Sequence, residues 1–377
     1  MAGNTNLGAA KAAKNDEFYT QWNDIENEMQ EYLEYNPDVF RDKTILLPCD
    51  DPDWSNFTKY FAERFEQLGL KKLISTSYAA DGGNGKVFVL GGENEPQREY
   101  LAGDGDFRSD EVIALRDESD MVITNPPFSL FREFMALLVE GGVKFSVIGN
   151  SNAITYKEVF PLIKENRLWL GATGNTTDMV FRVPQGAVVK ESDKAKAARL
   201  GYPSTEATTY TRLGNSCWFT SIEHGRRHEP LSLMMMEDNL VYGSKKVRSA
   251  GYPKYDNYDA IEVPETKGIP SDYAGVMGVP ISFLDKYSPE QFEILGITDR
   301  QNTSGLRTRK YTSADSPRFN DLNARSVIKH ENGEYRQVYA RILIRHRHPT
   351  IQSLSRSRSG QSSLRCKRGF SHVEVRG

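Results

Sequence analysis

Residues 121–150 read MVITNPPFSLFREFMALLVEGGVKFSVIGN. Four apolar or β-branched residues, Met121 to Thr124, have the length and composition of a buried strand. A polar Asn125 and two prolines interrupt them, since proline lacks the N–H that would extend a ladder. Residues 130–140, LFREFMALLVE, place apolar side chains at helical spacing, and Gly141-Gly142 ends that helix. KFSVIGN (144–150) is again strand-like. Strand, helix and strand over thirty residues define a parallel βαβ unit.

The same rhythm extends towards the N-terminus. Ile25, Met29, Tyr32 and Leu33 predict an amphipathic helix over 23–35 behind DEFYTQW (16–22). TILLPC (44–49) is a strand, Phe57, Tyr60, Phe61, Phe65 and Leu68 mark one face of a helix, and KLISTSY (72–78) is a second strand. DGGNGKVFVLGG (81–92) reads as a hairpin insertion before YLAGDGDF (100–107), and Ser109 caps a short helix over 109–117. The fold class is therefore α/β: a doubly wound, mostly parallel sheet with helices on both faces. Beyond about residue 225 the pattern turns irregular and rich in Tyr, Gly and Pro, as in SAGYPKYDNYDAIEVP (249–264), which is read as a second, loop-rich lobe. Residues 1–15 and the Ser/Arg-rich stretch 348–377 lack apolar period and are expected to be disordered. The expected division is thus an α/β domain over 16–224, the candidate catalytic domain if its strand ends carry chemistry, a second lobe over 225–347 and two disordered ends.

Composition limits the function classes. No apolar run reaches the roughly 18 residues of a membrane span, and the first residues lack a secretory signal, so the expected address is cytoplasmic with no membrane partner. Cys49, Cys217 and Cys366 are distant and without CxxC spacing, against both a disulfide framework and structural zinc. GGNGK (82–86) lacks the spacing of a phosphate loop, and His224 and His228 lack the Glu of HExxH. The net charge of −3 is unevenly spread: residues 300–377 carry 17 Lys and Arg against 5 Asp and Glu. A polyanion is the partner such a surface suits.

In a parallel sheet, ligands collect at the carboxyl ends of the strands. NPPF (125–128) sits at such an end. The Asn125 amide oxygen and the Pro126 carbonyl can both accept from one exocyclic amino group, the Pro126-Pro127 step fixes their geometry, and Phe128 offers a face to a planar base. That chemistry suits an aromatic amine, whose nitrogen becomes nucleophilic once its hydrogens are held. Asp50, Asp51 and Asp106 follow other strands, where carboxylates bind hydroxyl, ammonium or amino groups or act as turn formers and caps. Ser55 and Asn56 stand where a helix begins.

The order DEFYTQ, LLPCDDPDWSNF, AGDGDF, NPPF resembles the amino-methyltransferases that use S-adenosylmethionine. With CWFTSIEH (217–224) and GVPISFLDKYSPEQFEILGI (278–297) it resembles more closely the EcoRI-type adenine-specific DNA methyltransferase family, from about residue 15 to 347. The resemblance implies a Rossmann-like core and a target-recognition lobe. Asn125 and Pro126 would hold the amino group of an extruded adenine, with Pro127 in the same catalytic motif and Phe128 stacked on the base. Asp106 and Phe107 would meet the cofactor's adenine, Asp50 or Asp51 with Pro52, Ser55, Asn56 and Phe57 its methionine end, and Tyr19 and Thr20 would close over it. Double-stranded DNA is the implied partner, with a restriction endonuclease as genetic rather than physical companion; no metal is implied. The FxGxG turn of the wider superfamily is replaced by DDPDWSNF (50–57), and Tyr78 stands where an acidic ribose partner is usual. Methylation of an RNA base or a protein glutamine amide, or nucleic-acid binding without catalysis, are the alternative readings.

Overall fold

The computed structural model describes residues 18–80, 82–91, 96–173, 178–184, 186–300 and 305–350. The expected disordered ends, 1–15 and all but the first residues of 348–377, lie outside them, as does Cys366. No helix among the described residues is long and apolar enough to cross a membrane.

A short strand β1 (Tyr19–Thr20) leads into α1 (Trp22–Tyr35), which buries Ile25, Met29 and Tyr32 on one face. Glu28 on that face is buried yet fully used: both its oxygens accept, from the Tyr32 hydroxyl at 2.7 Å and from Ala172 and Thr173 at 2.6–3.0 Å. Buried carboxylates persist only with such partners. Then come β2 (Thr44–Leu47), α2 (Asn56–Glu63), β3 (Lys72–Thr76), β4 (Lys86–Gly91) and β5 (Gln97–Tyr100). Next are α3 (Asp110–Asp117), whose cap Ser109 accepts from Val112 N, β6 (Met121–Thr124), α4 (Phe131–Gly141) ending at left-handed Gly142, and β7 (Lys144–Asn150). The chain continues through α5 (Phe160–Lys164), β8 (Trp169–Leu170), β9 (Met179–Val183), α6 (Glu191–Arg199), β10 (Thr209–Leu213) and β11 (Ser216–Thr220).

Eight strands form the central sheet in the order β5-β4-β3-β2-β6-β7-β11-β8. The middle four pair in parallel, and only β4 and β11 run against the common direction. The insertion read as a hairpin adds β4 and β5 to one edge of this sheet. Both faces are covered, as the near-continuous apolar strands require. Ile45 and Leu47 point with Leu73 and Ile123 into the layer of α1 and α2, whereas Leu46, Ile74 and Val122 point into the layer of α4. The chain leaves β2 for β3 on one side and returns to β6 on the other, so the topological switch, where such folds bind ligands, falls between β2 and β6.

A second sheet, β1-β9-β10, stands over that switch. The region after 224 is more regular than its composition suggests. It carries α7 (Met236–Tyr242), α8 (Lys245–Ala250), β12 (Ile261–Glu262), β13 (Met277–Pro280), β14 (Phe292–Ile297), the hairpin β15 (Val327–Lys329) and β16 (Tyr335–Gln337), and β17 (Arg341–His346). The order β12-β13-β17-β14 makes a four-stranded sheet. Its strands are short and interrupted by Gly and Pro, with a register shift between Ile294 and Gly296, and this hides the period-2 pattern. Ile261, Met277, Phe283, Phe292 and Ile344 belong to the same apolar cluster as Phe134 of α4 and Val147 of β7.

Candidate active site

At the carboxyl ends of β2, β3 and β6 lies a cavity of about 720 Å³. Its floor is the turn after β2. Asp50 is buried there, and each oxygen accepts one hydroxyl: Ser55 at 2.7 Å and Thr124, the last residue of β6, at 2.6 Å. Burial outweighs those two donors and pushes the Asp50 carboxyl up to about 7. Asp51 accepts from the Asp53 N–H at 2.8 Å and pairs with Lys86 at 3.1 Å. Ser55 caps α2 by accepting from Phe57 N, so its hydroxyl is spent within the turn. Asp50, Asp51, Ser55, Asn56 and Phe57 all line the cavity, whereas Pro52 is buried behind it.

The wall beyond β3 is Gly105-Asp106-Phe107. Gly105 has φ +80°, and a Cβ there would stand 2.2 Å from the Ser77 carbonyl, so only glycine lets this loop lie against the end of β3. Arg108 grips the Asp106 carboxylate at 2.6 Å and holds it below the usual carboxylate range. Phe107 is buried edge-on against Phe134 and turns part of its surface to the cavity. Tyr78, exposed at the end of β3, lines the same wall.

The third side is the loop after β6. The Asn125 amide nitrogen donates to the Phe18 carbonyl at 2.5 Å and to the Thr20 hydroxyl at 3.2 Å. These bonds fix which way the amide faces. Its oxygen is buried and has no hydrogen-bond partner among the described residues. An unsatisfied buried acceptor costs on the order of 1–3 kcal/mol, so its presence at a cavity wall calls for a function. Asn56 donates to the Thr20 carbonyl at 2.8 Å, so β1 is strapped to both the β2 and the β6 loops, and Tyr19 and Thr20 line the cavity with them.

Two residues of NPPF are placed differently from the expectation. Pro127 lines the cavity, but Pro126 is buried and Phe128 does not line it. The Phe128 ring is half-buried against Phe18 at 5.5 Å and Phe181 at 6.4 Å. The apolar layer beneath β1 and β9 takes the ring because it offers more contact than the open cavity does. Residues that the sequence does not single out also line the cavity: Trp54, with Tyr19 edge-on at 4.1 Å, and Arg182 and Tyr210 from the antiparallel strands β9 and β10. For the last two, the signal was a lone arginine inside an apolar strand, MVFRV (179–183), and the β-branched and aromatic run TYTRL (209–213).

Of the remaining candidates, the histidines and arginines are occupied elsewhere. His224 hydrogen-bonds the Leu170 carbonyl, with burial lowering it to about 4, and His228 contacts Glu223 and Glu290. Among the described residues no three His, Cys, Asp or Glu are grouped to hold a metal. Arg226 pairs with Glu31, Arg227 is buried over Trp169, Arg307 bonds the Tyr258 hydroxyl and Arg309 pairs with Asp256 and Asp315. Lys245, Lys246 and Lys310 are exposed and make no ion pair with a described residue.

The family model described as adenine-specific methyltransferase EcoRI matches residues 6–97 and 91–347. Type II methyltransferase M.EcoRI of Escherichia coli is 44% identical over 313 residues, 78% of this chain and 89% of its own. Type II methyltransferase M.MpnI of Mycoplasma pneumoniae is 34% identical over 347 residues, 91% of this chain and 98% of its own, and M.MgeORF184P of Mycoplasma genitalium is 34% identical over 342. No solved structure matches. A parallel sheet with its cavity at the β2/β6 switch and a match over most of the chain agree: the protein belongs to the adenine-specific methyltransferase EcoRI family.

Proposed function

We propose that the chain transfers the methyl group of S-adenosylmethionine to the exocyclic amino group of an adenine turned out of duplex DNA, within a restriction–modification pair in the cytoplasm. The observation that carries this reading is the buried, unpartnered Asn125 oxygen beside a cavity of about 720 Å³. The cavity suits the cofactor: it joins ring surface from Phe107 and Phe57 to the carboxylates of Asp51 and Asp106. Asp106 and Phe107 would meet its adenine, and Asp51 with the turn to Phe57 its methionine end. Asp50, committed to Ser55 and Thr124, shapes that turn from below. Bound there, the cofactor supplies an activated methyl group on sulfur.

The chain's own part is placement and charge. Asn125 accepts one amino hydrogen and draws the nitrogen lone pair out of conjugation with the ring, and no side chain has to ionise. Tyr19, Thr20 and Pro127 limit where the base can lie, and Phe128 braces the loop from behind. Extrusion of the base costs a few kcal/mol, which contacts to the duplex must offset.

Incubating adenine-containing duplex DNA with protein and cofactor, then mapping modified positions by sequencing, tests the reading; a single recurrent adenine context is expected. Transfer to RNA or to a protein amide, with DNA left unmodified, would overturn it. Residues 225–347 are proposed to grip the duplex, with Lys245 and Lys246 on phosphates. The K245Q/K246Q double variant should then weaken DNA binding and lower the slope of log K against log salt by up to about 2. An unchanged slope would remove both lysines from the interface.

A further inference from the structure

Three cations line the cavity: Lys59, Arg108 and Arg182. The Lys59 ammonium donates to the Trp54 carbonyl at 3.1 Å, and Arg108 is shared between Asp106 and Glu133 at 2.6 and 2.7 Å. Arg182 differs from both. Among the described residues it makes no hydrogen bond or ion pair through its side chain; its guanidinium lies 5.1 Å from the Tyr19 ring and 6.0 Å from that of Trp54.

Register explains where that charge stands. Arg182 is opposite Tyr19 on β1 and opposite Tyr210 on β10, so Tyr19, Arg182 and Tyr210 form one row across the three-stranded sheet, and all three line the cavity. The neighbouring residue, Phe181, points the other way: it is buried against Phe18 and Phe128, opposite Thr20. Arg182 is exposed at the rim, where the main cavity meets a smaller one of about 310 Å³ lined also by Val183, Pro184 and Thr208. A guanidinium held against aromatic rings keeps its coplanar N–H groups directed outward, the geometry that takes an oxyanion by two parallel bonds.

We infer that Arg182 binds the backbone phosphate of the nucleotide whose base enters the cavity, an inference that rests on the function proposed above. Turning a nucleotide out of a duplex rotates it about its backbone, so the base travels inward while its phosphate stays at the mouth. The rim therefore needs a cation and the depth needs an acceptor; Arg182 and the Asn125 oxygen stand in that order. The carboxylate of the cofactor's methionine end shares the oxyanion chemistry, and the test separates the two.

Once the modified adenine is mapped on the wild-type protein, duplexes carrying a neutral methylphosphonate in place of either phosphate flanking that adenosine are compared with unmodified DNA. Neutralising one of the two is expected to weaken wild-type binding about 10-fold, and R182Q to weaken binding of ordinary DNA to the same extent. R182Q should show no further loss on that methylphosphonate duplex, R182K should recover most of the affinity, and S-adenosylmethionine binding should stay within about twofold. The inference is overturned if R182Q loses cofactor binding with DNA binding intact, or if it is as sensitive as the wild type to each methylphosphonate. Failure of the wild type to methylate adenine overturns the proposed function instead, and is read without any variant.

Discussion

Asn125→Ala should lower the single-turnover rate of methyl transfer about 100- to 1,000-fold, the range for loss of one hydrogen-bonding group that stabilises developing charge. Cofactor affinity should change only a few-fold. The geometry supports a loss of rate rather than of folding. The amide nitrogen makes bonds to the Phe18 carbonyl and the Thr20 hydroxyl, while the oxygen bonds nothing that is described. Asn125→Ala gives up both donor bonds but also removes an acceptor without a native partner, and relief of that desolvation penalty offsets part of the loss, so thermal stability should fall only modestly, by about 1 kcal/mol. Asn125→Asp serves as the companion: it keeps the shape but gives up both donors and adds a charge, and should be inactive with a loosened N-terminal strap. Transfer by the alanine variant at the wild-type rate, with labelled cofactor saturating, would remove Asn125 from the reaction.

Asp50 is expected to govern stability as strongly as Asn125 governs rate. Asp50→Ala leaves the Ser55 and Thr124 hydroxyls buried without their acceptor and should cost about 3 kcal/mol in urea unfolding. The pH dependence separates burial from charge. Unfolded, the carboxyl ionises near its ordinary 3.8; folded, burial holds its proton up to about 7. Between those values the native state binds more protons, so this group's contribution is full below about pH 4 and is lost as pH rises through 7, by about 4 kcal/mol. Asp50→Asn presents one donor and one acceptor at every pH and should flatten that slope. If wild type and Asp50→Asn lose stability in parallel from pH 4 to 8, Asp50 is ionised in the fold and the assignment fails.

The parts of the fold that sequence reveals are those fixed by local physics. TILL, KLIST, MVIT and FSVIG are buried on both faces, so their apolar runs are continuous, and Ser109 and Gly142 mark helix ends through their own chemistry. The positions just past those strands then name most of the cavity lining. What escapes is whatever depends on distant partners. An aromatic after two prolines can stack on a ligand or pack inward, and only the arrival of Phe18 and Phe181 decides for Phe128. Adjacent Asp50 and Asp51 look equivalent until Thr124, 74 residues on, claims the first and Lys86 the second. The Tyr19, Arg182 and Tyr210 row exists only in the register of three strands.

The apolar cluster that runs unbroken from Phe134 and Val147 into Phe283, Phe292 and Ile344 has a consequence for how target preference can change. Interiors are packed like solids, so two halves that share one interior cannot be exchanged between cousins as a cartridge is. A graft of residues 225–347 from a relative about one-third identical would bring mismatched side chains to the seam, and the recipient would lose its own footing before it read a new word. If residues 225–347 grip the duplex as proposed, new specificity has to be written on the outer skin of that half, one exposed side chain at a time, with the shared interior left as it is.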